Sequence, residues 1–136
     1  MPVKFEVSDV FPVSMKALYT AWLSSDEHSL MTGSPAKVSD QVGECFEAWD
    51  GYIEGKNLEL EPYSCILQLW RTSEFEESAP DSFLEIHLEP EGAGTRLTIQ
   101  HSNLPEDGMQ YKQGWIDSYF APMHAYFGSD SDTEDF

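Results

Sequence analysis

The chain has 136 residues, 40% hydrophobic and 13% aromatic, with 25 acidic side chains against 7 basic ones and a net charge of −18. That length supplies one core rather than two, and the apolar share is that of an ordinary globular protein. So large an acidic surplus excludes nucleic acid and anionic membrane surfaces as natural partners, and no stretch approaches the ~18 apolar residues of a membrane span. The opening MPVKFEVSDVF lacks the charged region, apolar run and small-residue cleavage site of a secretory signal. A soluble, cytoplasmic protein is the expectation. Cys45 and Cys65 fit no CxxC pattern and read as reduced core thiols.

In chain order, Val3, Phe5 and Val7 alternate with Lys4, Glu6 and Ser8, the pattern of a strand with one exposed face. Pro12 and Ser14 open a helix with Ser14 as N-cap and Met15, Leu18 and Trp22 facing inward. A second short helix runs from Ser25 or Asp26 to Met31, stopped by Gly33 and Pro35. From Val38 to His101 the pattern is strand after strand. Gly43, Asp50-Gly51, Gly55, Glu61-Pro62, Pro80-Asp81 and the stretch 91–94 punctuate it at the spacing of an antiparallel meander. Strand 64–70 has an ambiguous period, because Cys65, Leu67 and Leu69 compete with Ile66 and Trp70. Arg71, at its end, is scarce positive charge expected to pair with a nearby acid.

The last hairpin can be registered from its own residues. Opposing its apolar sets requires the pairs Leu88–Leu97, Ile86–Ile99 and Leu84–His101, leaving 91–94 as a four-residue loop. Glu89 then faces Arg96 as a cross-strand ion pair, and His101 is the one titratable group on the inner face.

Stretch 109–127, MQYKQGWIDSYFAPMHAYF, reads as a helix with an almost wholly large and aromatic buried face. At 100° per residue Met109, Trp115, Ile116, Tyr119, Phe120, Met123, Tyr126 and Phe127 share one arc of about 140°. Lys112 projects to the middle of that arc. Gly114 lies opposite, where a missing side chain lets another element approach. Pro122 removes a helix hydrogen bond to Ser118 and predicts a kink. The acidic tail 128–136, GSDSDTEDF, reads as disordered.

The order is therefore strand, two short helices, about six antiparallel strands, and a long aromatic helix. A parallel α/β fold is excluded, since no helices separate the strands. The expected class is α+β, one domain over 1–127, with a curved antiparallel sheet of about seven strands wrapped around the C-terminal helix.

Certain runs carry a resemblance. They are the stretch from Asp50 to Gly55, Trp70-Arg71, Asp81-Ser82, the stretch from Gly94 to Thr98, the stretch from His101 to Pro105, Gly114-Trp115 and Tyr119-Phe120. Over about Val7 to Phe127 the chain resembles the AHSA1-like (activator of Hsp90 ATPase homologue 1-like) family of the START/Bet v 1-like superfamily. The resemblance implies a helix-grip fold, in which a curved sheet wraps a C-terminal helix around a hydrophobic cavity. That fold hosts ligand carriers, cyclases and chaperone partners alike. The likeness is to the C-terminal domain of the eukaryotic co-chaperone, which also carries a separate N-terminal domain important for stimulating the Hsp90 ATPase.

The candidate pocket wall is Trp22, Phe46, His101, Lys112, Trp115, Tyr119 and Met123. His101 is the single candidate acid–base group, with an ordinary pKa of roughly 6.5; no carboxylate on its face orients it. Lys112 is a candidate cation for an anionic head group. The four histidines show no metal-ligand spacing, and no phosphate loop or nucleophile elbow is present, so neither metal nor cofactor is expected. Three functions follow. A hydrophobic or amphipathic small molecule held between sheet and helix predicts an enclosed cavity. A stress-related interaction module for Hsp90 or another protein predicts a collapsed cavity and an exposed apolar patch. A cyclase- or hydrolase-like enzyme predicts a polar group beside His101 inside the cavity.

Overall fold

The alternating segments become strands. The computed structural model describes residues 3–127 and places β1 at Val3–Phe11, β2 at Cys45–Ala48, β3 at Ile53–Glu61, β4 at Cys65–Thr72, β5 at Ser82–Glu91 and β6 at Gly94–Leu104. They pair in one curved antiparallel sheet of order β1-β6-β5-β4-β3-β2. Helices α1 (Met15–Trp22) and α2 (Ser25–Thr32) connect β1 to β2, and a helical run follows β6. This is the expected α+β helix-grip architecture, with six strands rather than about seven. The strand expected to start at Val38 is absent because Asn57 holds that segment in a loop. Its side-chain amide donates to the carbonyls of Ser39 (2.8 Å) and Gln41 (3.0 Å), and its backbone bonds Gly43 and Glu44. Asn57 is 1% exposed and sits where a bulge shifts the β3–β4 register. Satisfying a loop's carbonyls from one side chain is something alternation cannot signal.

β5 and β6 pair in the register their apolar faces demand: Leu88 with Leu97, Ile86 with Ile99, Leu84 with His101. Pairing continues to Glu91 with Gly94, so the loop is two residues rather than four, with Gly92 at φ 59° as the tight hairpin turn requires. Glu89 does face Arg96, but the guanidinium reaches past it. It grips Glu91 through Nε (2.7 Å) and Nη2 (2.9 Å) and donates to Ser8 from Nη1. A two-pronged pair outcompetes a single contact. In β4 the buried set is Ile66, Gln68, Trp70 and Thr72; two polar members disguised the period.

Ser14 caps α1 by accepting from the Ala17 N–H, and Ser24 caps α2 from Glu27, with Gly33 at φ 81° closing it. Both cysteines are free, yet Cys45 is exposed and Cys65 half-buried, so neither is the core thiol expected.

The C-terminal run is α3 (Gln110–Gly114), a π-helical stretch (Trp115–Phe120) and α4 (Ala121–Phe127). Pro122 accounts for the interruption. In a regular α-helix its ring would press on the Ser118 carbonyl. The wider π turn lies directly before it, and the Ala121 N–H bonds the carbonyl of Ile116. Residues four apart drift about 40° per step on an α-helix, but the π stretch absorbs that drift. The inward column is consequently Tyr111, Trp115, Tyr119 and Met123, while Lys112 is exposed and Met109 (46%), Ile116 (38%) and Tyr126 (38%) are partly so. Among the described residues no helix is long and apolar enough to cross a membrane. The acidic tail expected over 128–136 lies outside the described residues.

Candidate functional site

Between the β2–β3 turn, β4 and the C-terminal helix lies an open cleft of about 440 Å³. The sheet side supplies Trp49, Tyr52, Ile53 and Trp70, the loop after β4 supplies Glu74, and the helix supplies Gln110, Tyr111, Gly114, Trp115, Ser118 and Tyr119. Asp50 (φ 58°) and Gly51 (φ 89°) form the centre of a tight turn closed by the Tyr52 N–H on the Trp49 carbonyl at 3.2 Å. This is the Asp-Gly hairpin chemistry that the dipeptide signals. Trp49 itself has φ 54°, a left-handed conformation costing a large side chain about 1–2 kcal/mol. The Asp50 N–H on the Pro35 carbonyl (3.0 Å) anchors the turn, and the Trp49 ring packs edge-on against Tyr119 with centroids 6.3 Å apart.

Gly114 is helical (φ −60°, ψ −41°), and a Cβ added there meets nothing within 4 Å. No element approaches it, contrary to the sequence expectation. Neither its backbone nor its packing requires glycine, and glycine in a helix costs about 1 kcal/mol relative to alanine. What the missing side chain preserves is the width of the cleft.

One rim is polar. The Tyr111 hydroxyl lies 2.7 Å from Thr72 Oγ1, and Tyr52 and Glu74 line the cleft with it. Burial pushes both phenols above their ordinary range. Among the described residues Glu74 is the one charged side chain lining the cleft. Arg71 is engaged elsewhere, donating to Asp81 (2.8 Å) and to the carbonyls of Ala79 (3.0 Å) and Glu76 (2.9 Å). It pairs as expected and ties down the β4–β5 loop.

Behind the cleft, two buried histidines prop the aromatic wall. The Trp115 indole N–H can only donate, so His101 Nδ1, at 3.1 Å, accepts. His101 Nε2 then carries the proton and donates to Ser82 Oγ at 2.9 Å, whose hydroxyl donates to the Trp70 carbonyl at 2.6 Å. His101 is fully buried and desolvation pushes its pKa down to about 3. Both nitrogens are occupied, and the residue lies behind Trp115 rather than on the cleft surface. The polar neighbour that acid–base use demanded is present as Ser82, but as part of this closed relay. His28 repeats the logic: Nδ1 lies 2.8 Å from the Trp22 carbonyl, so it donates, and Nε2 accepts from the Tyr119 hydroxyl at 2.8 Å. Desolvation lowers its pKa and raises that of Tyr119.

Of the seven residues read as a pocket wall, Trp115 and Tyr119 line the cleft. Their other side borders a remnant of about 10 Å³ shared with Trp22, Phe46 and Gln68. That is about the volume one water needs. The enclosed cavity between sheet and helix is thus closed by the stacking of Trp22 on Tyr119, centroids 5.0 Å apart, and the packing of Trp115 on Tyr119 at 4.8 Å. Met123 is wholly buried in the core, His101 supports Trp115, and Lys112 lies outside the cleft lining, displaced by the π stretch. Trp49, Tyr52, Glu74 and Tyr111 were not singled out. The Asp50-Gly51 dipeptide and Pro122 were the signals for Trp49, Tyr52 and Tyr111, since one places the turn and the other rotates Tyr111 inward; Glu74, in the loop after β4, had none. Among the described residues no three His, Cys, Asp or Glu side chains are arranged to hold a metal ion.

The family described as activator of Hsp90 ATPase homolog 1-like protein matches residues 12–128. The chain belongs to this family. Its fold is shared with an HSP90 activator from Plasmodium falciparum, at TM-score 0.82 and 22% identity over 90% of this chain and 94% of that one. The Aha1 dimer from Colwellia psychrerythraea matches at TM-score 0.77 and 16% identity, over 92% and 96% of the two chains. CalU16 from Micromonospora echinospora matches at 0.76 and 20%, over 94% and 78%. These likenesses establish a common fold. A comparison with curated proteins gave no match.

Proposed function

We propose that this AHSA1-like domain binds a small, largely hydrophobic molecule in the open cleft between the β2–β3 turn and the C-terminal helix. Gly114 carries the reading: a helix-interior glycine with open space before it, where alanine would be both accommodated and more stable. The strained Trp49 backbone on the facing wall points the same way. A bicyclic aromatic ring burying about 150 Å² against these walls gains about 4 kcal/mol, the scale of a millimolar fragment. His101 enters as the support that fixes Trp115, not as a reacting group.

The test is steric. Gly114→Leu fills the cleft from a position with room for a side chain, and leucine favours a helix. Calorimetric titration with naphthylethanol should show binding by the native chain and at least tenfold weaker binding by the variant, with its melting temperature undiminished. Equal affinity in the two would place the binding elsewhere and end the proposal.

A second reading, a partner of Hsp90, is supported by the family and by the likeness to the Plasmodium falciparum HSP90 activator. Its test is the steady-state ATPase rate of an Hsp90 with and without this chain. A rise that survives Gly114→Leu would make the domain surface, not the cleft, the working part.

A further inference from the structure

Granting that the cleft is the binding site, its chemistry selects the ligand's charge. Among the described residues of the lining Glu74 is the one acidic side chain and none is basic, while the other polar groups, such as Ser118 and the phenols of Tyr52 and Tyr111, carry no formal charge. The basic residues nearest in sequence are excluded: Arg71 is bound to Asp81, and Lys112 is exposed beyond the lining. The apolar walls are rings, above all Trp49, Trp70 and Trp115, and the face of an aromatic ring attracts a cation. Tyr52 and Tyr111 line the cleft together with Glu74, and their phenol oxygens add partial negative charge to that of the carboxylate. The chain's net charge of −18 raises the local concentration of cations further.

We propose that the ligand is a cationic amphiphile, with an aromatic or apolar body against the tryptophans and an ammonium group at Glu74 and the tyrosine oxygens. An anionic amphiphile of the same shape sets its charge beside Glu74 with no compensating cation. This reverses the reading in which Lys112 receives an anionic head group.

Three probes sharing one ring separate charge from shape: naphthylethyl-trimethylammonium, naphthylethanol and naphthylpropanoate. Titrated calorimetrically into the native chain, the ammonium should bind about tenfold tighter than the alcohol and the carboxylate should bind weakest. Glu74→Gln should bring the ammonium close to the alcohol without altering the alcohol's own affinity. Glu89→Gln, the same charge change on β5 outside the cleft, should leave the ammonium's lead almost intact. Added salt should erode that lead only. Equal binding of all three probes, or an equal loss from both variants, overturns the assignment and leaves the cleft standing as a neutral site. Tightest binding by the carboxylate overturns it as well. If no probe binds, the cleft reading falls with it.

Discussion

Lowering the pH should destabilise this protein through His101 in a calculable way. The imidazole is held neutral by burial, with a folded-state pKa of about 3 against 6.5 for the free side chain. The unfolded chain therefore binds a proton that the folded chain refuses throughout the interval between these values. Stability contributed by the neutral histidine is complete above 6.5 and is lost as pH falls toward 3. At about pH 5, some 1.5 units below the free value, the loss amounts to about 2 kcal/mol relative to pH 7.5. His28 is displaced in the same direction by its own burial, while protonation of the many carboxylates relieves repulsion and works the other way. A difference between variants isolates the effect. His101→Gln offers an acceptor for the Trp115 indole and a donor for Ser82 but does not titrate. Urea unfolding of native and variant chains at both pH values should show the native chain losing about 2 kcal/mol more than the variant. If the variant is too unstable to compare, the imidazole nitrogen resonances of the native protein serve instead, and His101 should keep an unprotonated Nδ1 at pH 5. Parallel pH dependence in the two chains, or a His101 titration midpoint near 6.5, would refute the relay and reopen an acid–base role.

Gly114→Ala should raise stability by about 1 kcal/mol, since the site is helical and open, and chemical denaturation measures this directly. Gly55→Ala should do the opposite by roughly 2 kcal/mol or more. A Cβ there drives into the Leu69 carbonyl oxygen and lies 2.6 Å from the Phe46 ring, which packs across the strand pair. Tyr119→Phe removes the donor to His28 Nε2 and should cost about 1–3 kcal/mol. If Tyr119→Phe is as stable as the native chain by urea unfolding, the His28 relay carries no weight.

The fold was legible where local and global signals agree. The apolar faces of β5 and β6 admit one register, and that register is observed because a one-residue slip would turn Ile86 and Ile99 to solvent. The seventh strand was a misreading because Asn57 acts through hydrogen bonds rather than hydrophobicity. The candidate site was half legible. Trp115 and Tyr119 stand out at any helical period, but Lys112 and Tyr111 exchange places when a π turn intervenes, and only Pro122 hints at one. Trp49 and Tyr52 escaped notice because turn residues carry no periodicity, although Asp50-Gly51 announced the turn that presents them. Whether the space under the helix is filled depends on how Trp22, Trp115 and Tyr119 stack, and ring stacking between two elements so far apart in sequence is not written in any single segment.

The four tryptophans provide the most direct test of the cleft. Trp49, Trp70 and Trp115 line it, whereas Trp22 borders only the small inner remnant. Nitrogen-labelled protein with each indole N–H signal assigned would be titrated with naphthylethyl-trimethylammonium. The account predicts that the signals of Trp49, Trp70 and Trp115 move together with one dissociation constant while that of Trp22 stays nearly still. Movement of Trp22 ahead of the other three would put the ligand inside the grip between sheet and helix, and would contradict the account.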